Sequence, residues 1–282
     1  MNAPALDVKK AWVSREITHD LQLFRAQFSP DGTHIAAGGV DKLVHVWQLV
    51  DDQTKETEKK ITLNAHRTWV SSLAFHPRAK QLFTADYQGV IHCWNYTAPG
   101  KPVWTIPNAD ADNVRALAVT PDGKYLISAG DDTVIKVWNA ANGKPVAKLE
   151  GHAECIFSLA VSNDGKHLVS GDLLGSIRQW SIGPWKPVRE LDAKILHTRL
   201  ENFIADVGGV RSLAFSPDGK TLAAGGMKDA KSNAFCPGTP VVLLFDWTNG
   251  KAKTELRIKG KSDGPFNALR FLDPTPLAGH TE

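Results

Sequence analysis

A large apolar residue is followed nineteen positions later by a tryptophan four times along this chain: Phe28 to Trp47, Phe75 to Trp94, Val119 to Trp138 and Val161 to Trp180. A fifth pass, Phe215 to Phe245, is stretched to thirty and exchanges the tryptophan for phenylalanine. A fixed interval within variable sequence marks one structural unit repeated in tandem. A unit that cannot bury its own faces is stable only when stacked on its neighbours. The repeat therefore overrides the two-domain division that 282 residues would otherwise suggest.

The residues between the anchors define the unit. Phe28-Ser-Pro-Asp-Gly32, Val119-Thr-Pro-Asp-Gly123, Val161-Ser-Asn-Asp-Gly165 and Phe215-Ser-Pro-Asp-Gly219 separate apolar runs. Proline presets one turn dihedral, Asp closes the turn through its side chain, and Gly accepts a positive φ. The second unit reads Phe75-His-Pro-Arg-Ala79 and needs a different turn. Each turn leads into a strand of small residues (HIAAGG, QLFTAD, YLISAG, HLVSGD, TLAAGG) and then one ending in the aromatic (LVHVW, VIHCW, VIKVW, SIRQW, VVLLF). Both strands are apolar on successive residues, as expected of sheets covered on two faces. A more polar fourth strand follows, after Asn142-Gly143 and Asn249-Gly250 in two units.

Taken together, spacing, turns and aromatics resemble the WD-repeat (WD40) β-propellers over roughly Trp12 to Phe271, and the Ser-Pro-Asp-Gly turns resemble bacterial-type members. The resemblance implies an all-β propeller of four-stranded antiparallel blades. The expected units are about 20–62, 67–107, 111–149, 153–205 and 207–261, with a partial sixth at 263–282, in one domain (11–282) behind a tail at 1–10. Ala11 to Thr18 reads as an orphan fourth strand, so a C-terminally incomplete, open ring is expected.

The family's blades share a hydrogen-bonded set of His, Ser or Thr, Asp and Trp. Carried over by position, its members are His19, Asp41 and Trp47; His66, Thr84 and Trp94; Ser128, Asp132 and Trp138; His152, Ser170 and Trp180; and Phe245 in the fifth unit. Asp110 and Asp206 occupy His positions, Ala37 a Ser/Thr position, and Gln88 and Leu174 Asp positions. On this count no blade is complete, and looser turns before the third strand are expected in blades two and four. The loss is tolerable: one hydrogen bond contributes about 1 kcal/mol, whereas burying ~150–250 Å² of tryptophan is worth roughly 4–6 kcal/mol.

Three insertions interrupt the repeat: a charged loop at 51–60, a stretch containing LDAKILHTRLENFIAD, and MKDAKSNAFCPGTP with Phe235 and Cys236. In the second, Leu191, Ile195, Leu196, Leu200, Phe203 and Ile204 fall near helical spacing, which predicts a short rim helix against the alternative of a longer strand and loop.

A net charge of +3 with mixed signs gives no nucleic-acid footprint, and no stretch of eighteen apolar residues occurs. Three scattered cysteines suggest a reducing compartment, with the cytoplasm as the default. No cofactor, metal or nucleophile motif is present. His45 and His92, each two residues before a Trp, lack the acidic or thiol ligands of a metal site. The expected role is a non-catalytic scaffold for a protein or peptide of unknown identity. Single-stranded RNA binding and a central-channel enzyme are the alternatives. Family position places Gln22, Phe24, Val40, Trp69, Ser71, Tyr87, Asn113, Arg115, Asp131, Phe157, Leu173 and Arg211 on the partner-binding face. Trp69, Tyr87, Asn113, Arg115, Asp131, Phe157 and Arg211 are the candidate contacts.

Overall fold

The computed structural model describes residues 17, 19–49, 60–98, 100–231, 238–257 and 268–271. Five four-stranded antiparallel sheets follow one another along the chain, each with its strands in sequential order. Blade one comprises Leu23–Phe28, His34–Gly39, Val44–Gln48 and Lys60–Leu63. Blade two comprises Val70–Phe75, Gln81–Asp86, Ile91–Asn95 and Trp104–Ile106. Blade three comprises Val114–Val119, Tyr125–Gly130, Ile135–Asn139 and Pro145–Leu149. Ile156–Val161, His167–Asp172, Ser176–Ser181 and Pro187–Asp192 form blade four. Ser212–Phe215, Thr221–Lys228, Thr239–Asp246 and Ala252–Arg257 form blade five.

Successive residues of each second strand serve opposite interfaces, because side chains alternate across a pleated strand. Leu82 joins Trp94 in the core between blades one and two, while its neighbour Phe83 joins Ile91 and Cys93 between blades two and three. Leu126 and Ile127, then Leu168 and Val169, divide in the same way. Trp94, Trp138, Trp180 and Phe245 each lie in the core shared with the preceding blade. First strands of neighbouring blades contact one another and so converge on a common axis. Among the described residues no sheet bridges blades five and one. Phe75 is buried against blade one, whereas its counterpart Phe28 is half exposed.

The Asp-Gly turns repeat one hydrogen-bond pattern. Ser29 Oγ donates to Asp31 Oδ1 at 2.6 Å, and the equivalent hydroxyls of Thr120, Ser162 and Ser216 donate to Asp122, Asp164 and Asp218. In blade two an imidazole takes the carboxylate's part. His76 Nδ1 accepts from the backbone N–H groups of Arg78 and Ala79, and Nε2 donates to the Gly123 carbonyl at 3.1 Å. This uses one neutral tautomer, consistent with burial holding the His76 pKa below its usual value. A Cβ on Gly123 would lie 2.4 Å from that ring.

The stretch after blade four is not a helix but a hairpin, His197–Leu200 with Ala205–Gly208, flanked by 3-10 turns at Lys194–Leu196 and Glu201–Phe203. Leu191 and Leu196 are buried, but Phe203 and Ile204 are exposed, so the apparent stripe never shared a face. Asp206 accordingly bonds His197 (2.7 Å) and Arg199 on the opposite strand and is not in a blade's His position. Ile204 sits at φ +50°, where a β-branched residue is strained. Ile204→Gly is expected to raise stability by about 0.5–1 kcal/mol in urea unfolding; a loss would show that the exposed side chain carries packing.

Blades two and four place Gly89 (φ +75°) and Gly175 (φ +79°) in the turn before the third strand, whereas blades one and three place Lys42 (φ +67°) and Thr133 (φ +64°) there. The left-handed conformation is unstrained in glycine, so blades one and three carry the less favourable turns, the reverse of the expectation. Phe235, Cys236, most of the 51–60 loop, the tail at 1–10 and nearly all of the orphan strand lie outside the described residues.

Candidate functional site

Blades two and four contain complete buried hydrogen-bond chains. In blade two Trp94 Nε1 donates to Thr84 Oγ1 (2.8 Å), Thr84 pairs with His66 Nε2 (2.7 Å), and His66 Nδ1 pairs with Asp86 Oδ2 (2.8 Å). Asp86 Oδ1 then accepts the Gln88 and Val90 N–H groups of the turn. Blade four repeats this with Trp180, Ser170, His152 and Asp172. The acids are therefore Asp86 and Asp172, not positions 88 and 174 as counted back from the tryptophans. In blades one and three the equivalent strand-end positions are Gly39 and Gly130, where a Cβ would lie 2.0 Å from Gln22 O and 1.9 Å from Asn113 O. No side chain fits, so the carboxylate comes from two residues further on, Asp41 or Asp132.

Blade one is a variant of the set. Ala37 supplies no hydroxyl, and its cross-strand partner is His45. Both His19 Nε2 (3.0 Å) and His45 Nε2 (2.6 Å) bond Asp41 Oδ2, the one described grouping with metal-ligand composition and proximity. His45 Nδ1 is buried with no partner among the described residues, so the ring lacks the outer hydrogen bond that usually orients a metal-bound imidazole. The arrangement is a hydrogen-bonded clasp. His92, cross-strand from Thr84, bonds Thr105 (2.8 Å) and is pushed down to about 4 by burial and the adjacent His66. In blade three Asp110 takes the His position, Trp138 donates to Ser128 (2.9 Å), and Lys136 bonds Asp132 and lies 3.8 Å from Asp110.

The acids sit beside the positions expected to face a partner. Backbone N–H groups of Val40, Tyr87, Asp131 and Leu173 donate to the carbonyls of Gln22, Trp69, Asn113 and Cys155, tying each of these turns to the loop before its blade's first strand. At the axial end of these loops is a cavity of about 180 Å³ lined by Phe24, Arg25, Ser71, Tyr87, Asn113, Arg115, Phe157 and Arg211. Seven of the eight belong to the face placed by position. Arg25 is the addition, visible only once the first strands converge. Of the other face positions, Gln22, Val40, Trp69, Asp131 and Leu173 do not line the cavity.

Two chemistries meet there. Phe24, Trp69 and Tyr87 form an aromatic group with ring centroids 5.5–6.0 Å apart, and Trp69 and Tyr87 are 45% and 39% exposed. Beside it, the Arg115 and Arg211 guanidinium carbons lie 4.8 and 3.7 Å from the Phe157 ring centroid. Burial opposes the Arg115 charge, but its bonds to Asp131 win and hold its pKa above the usual value. Burial lowers that of Arg25. A second axial cavity joins Arg25, Leu73, Leu117, Leu159 and Leu213 to Ala268 and Leu269. Among the described residues no helix is long and apolar enough to cross a membrane.

Comparison with known proteins agrees with this architecture. The family model "WD domain, G-beta repeat" matches residues 15–48, 57–95, 100–139, 143–181 and 198–230. The chain is 29% identical over 117 residues to the nuclear distribution protein nudF of Aspergillus terreus, covering 42% of this chain and 25% of that protein. It is 28% identical over 136 residues to the chromatin assembly factor 1 subunit FAS2 homolog of Oryza sativa subsp. japonica, covering 44% and 26%. The chain thus spans about a quarter of these relatives' length. A chain in the crystal structure of the mitotic checkpoint complex superposes with a TM-score of 0.66 at 19% identity, covering 86% of this chain and 67% of that one, which shows the fold alone.

Proposed function

The chain belongs to the WD-repeat family, and on that premise we propose that it is a non-catalytic scaffold holding a protein or peptide at the axial mouth described above. The carrying observation is the juxtaposition of exposed Trp69 and Tyr87 with the arginine-lined cavity. Exposed aromatics and arginines supply most binding energy at interfaces, and these are fixed by backbone bonds to rigid blades. Two relatives named as a nuclear distribution protein and a chromatin assembly factor subunit support an assembly role. The histidines and acids resembling catalytic groups, His66–Asp86 and His152–Asp172, are sealed in blade interiors and bonded to one another. Cytoplasmic placement rests on the free thiols Cys93 and Cys155, and the bacterial-type reading rests on turn composition.

Trp69→Ala tests the reading. Truncating a half-exposed side chain is expected to change stability by no more than about 0.5–1 kcal/mol, while weakening partner capture from a host lysate about tenfold or more, roughly 1.4 kcal/mol or above. A large fall in melting temperature would make Trp69 a core residue and end the assignment. Arg115→Ala is the companion variant expected to weaken capture. Binding of a uridine oligonucleotide that falls steeply with salt would favour RNA instead.

A further inference from the structure

Each blade is a meander, so the turns joining first to second and third to fourth strands lie together, at the end away from the mouth. In blades two to five these turns are 76–80, 96–103, 120–124, 140–144, 162–166, 182–186, 216–220 and 247–251. They hold nine Lys or Arg side chains against three carboxylates. Lys80, Lys124, Lys166 and Lys220 each close a first turn, near the axis. Lys144, Lys186 and Lys251 each close a second turn, toward the rim, where blade two has Lys101. All eight lysines are exposed. Lys80 pairs with Asp31 of blade one and Lys124 with Asp122, while the other six form no ion pair among the described residues. The three carboxylates, Asp122, Asp164 and Asp218, accept from a hydroxyl and a backbone N–H of their own turns. Blade one stands apart: its first turn holds Asp31 and no cation, and residues 50–59 lie outside the described residues. At the mouth end the signs reverse around blade three, where 107–113, 131–134 and 150–155 carry six carboxylates and no Lys or Arg. The net +3 conceals this separation.

A second feature accompanies the lysines. Lys-Pro-Val recurs at 101–103, 144–146 and 186–188, and the three valines are 57%, 44% and 50% exposed. In blades three and four the strand pairing skips one residue. Trp138 faces Pro145 and Val137 faces Ala147; Trp180 faces Pro187 and Gln179 faces Arg189. The bulge leaves Val146 and Val188 without a cross-strand partner and accounts for their exposure.

We propose that this end of blades two to five docks on the surface of an anionic lipid bilayer, with Val103, Val146 and Val188 at the headgroup boundary. Charges at two distances from the axis on four successive blades cover an area. An area of cations fits a plane of headgroups, whereas a nucleic-acid strand or an acidic peptide would follow one line. Anionic lipids attract each lysine held near the surface, and exposed apolar side chains add to the adhesion. No span of the bilayer is involved. Docking in this way turns the mouth, with its acidic surround, away from the lipid and leaves it open to a partner. The inference goes beyond the scaffold reading and does not depend on it.

The test is co-sedimentation of the intact chain with vesicles of phosphatidylcholine alone or mixed with phosphatidylserine. Binding is expected only to the mixed vesicles and should decline as salt rises. Replacing Lys144 and Lys186 together by Gln should weaken it at least about tenfold, as should replacing Lys166 and Lys220. Lys144→Arg with Lys186→Arg should restore it, since the charge is kept. Val146→Ser with Val188→Ser should weaken it while leaving its salt dependence as it was. Circular dichroism reports whether each variant folds, and the lipid and salt comparisons need no variant. Equal binding to both vesicles, no binding at low salt, or indifference to both lysine pairs would overturn the proposal. Release from the vesicles by polyuridine at equal charge would move the partner class to nucleic acid and likewise end it. None of these failures bears on the mouth, whose test is capture of a protein partner.

Discussion

Trp180→Ala is expected to destabilise the chain by about 3–5 kcal/mol, the range for deleting a fully buried aromatic ring. The side chain is 1% exposed and fills the interface with blade three among Ile127, Ile135, Val137 and Leu149. Its loss opens a cavity there and removes the N–H that donates to Ser170. Trp180→Phe separates the two effects. It keeps most of the ring but forfeits the indole hydrogen bond, so about 1–2 kcal/mol is expected. Blade five already uses this solution, with Phe245 in the tryptophan's place and 1% exposed. Urea unfolding followed by circular dichroism decides the order. If the phenylalanine variant were as unstable as the alanine one, the hydrogen-bond chain and not ring stacking would hold the blades together.

What the sequence revealed follows the same division between packing and fine positioning. The anchors and Asp-Gly turns were legible because each depends on residues within one unit: Asp31, Asp122, Asp164 and Asp218 close their turns by local bonds. Trp94, Trp138 and Trp180 were legible as core because the nineteen-residue interval places them on corresponding strand positions. Asp86 and Asp172 were missed because counting from the tryptophan ignores how closely the preceding loop approaches. Only the close approach to Gly39 and Gly130 shows why blades one and three shift the acid by two residues. A glycine ending the second strand was the available signal. The hairpin after blade four was misread because leucines at helical spacing also arise when a strand's buried residues adjoin an exposed apolar turn. Phe203 and Ile204 supplied a third of that stripe from solvent. At the mouth, loop positions were accessible by counting, but Arg25 was not, since its place in the cavity is created by convergence of blades distant in sequence.

Blade three offers the other large effect, with the opposite sign: Asp110→Asn is expected to stabilise the protein at neutral pH. Asp110 occupies the position of His66 and His152, is 5% exposed, and is pushed up to about 6 by burial, with the Asp132 charge adding to the rise. Its Oδ1 accepts the backbone N–H groups of Asp112 (3.0 Å) and Asp132 (3.3 Å), but Oδ2 has no hydrogen-bond partner among the described residues. Lys136 reaches Oδ2 only at 3.8 Å while bonding Asp132. Between the unfolded value of 3.8 and about 6 the native state binds the extra proton, so stability falls as pH rises through that window and stays low above it. The full penalty is roughly 3 kcal/mol as an upper figure, and about 1–2 kcal/mol is expected once solvent screening is discounted. Asparagine keeps the accepting oxygen and turns an N–H₂ toward the Asp132 side, removing the charge without orphaning the backbone donors. The variant should therefore exceed the parent in urea midpoint at pH 7.5 and match it near pH 3.5, with a flatter profile between. A difference that does not change with pH would mean that the buried charge is not what Asp110 costs, and that blade three tolerates its missing histidine for another reason.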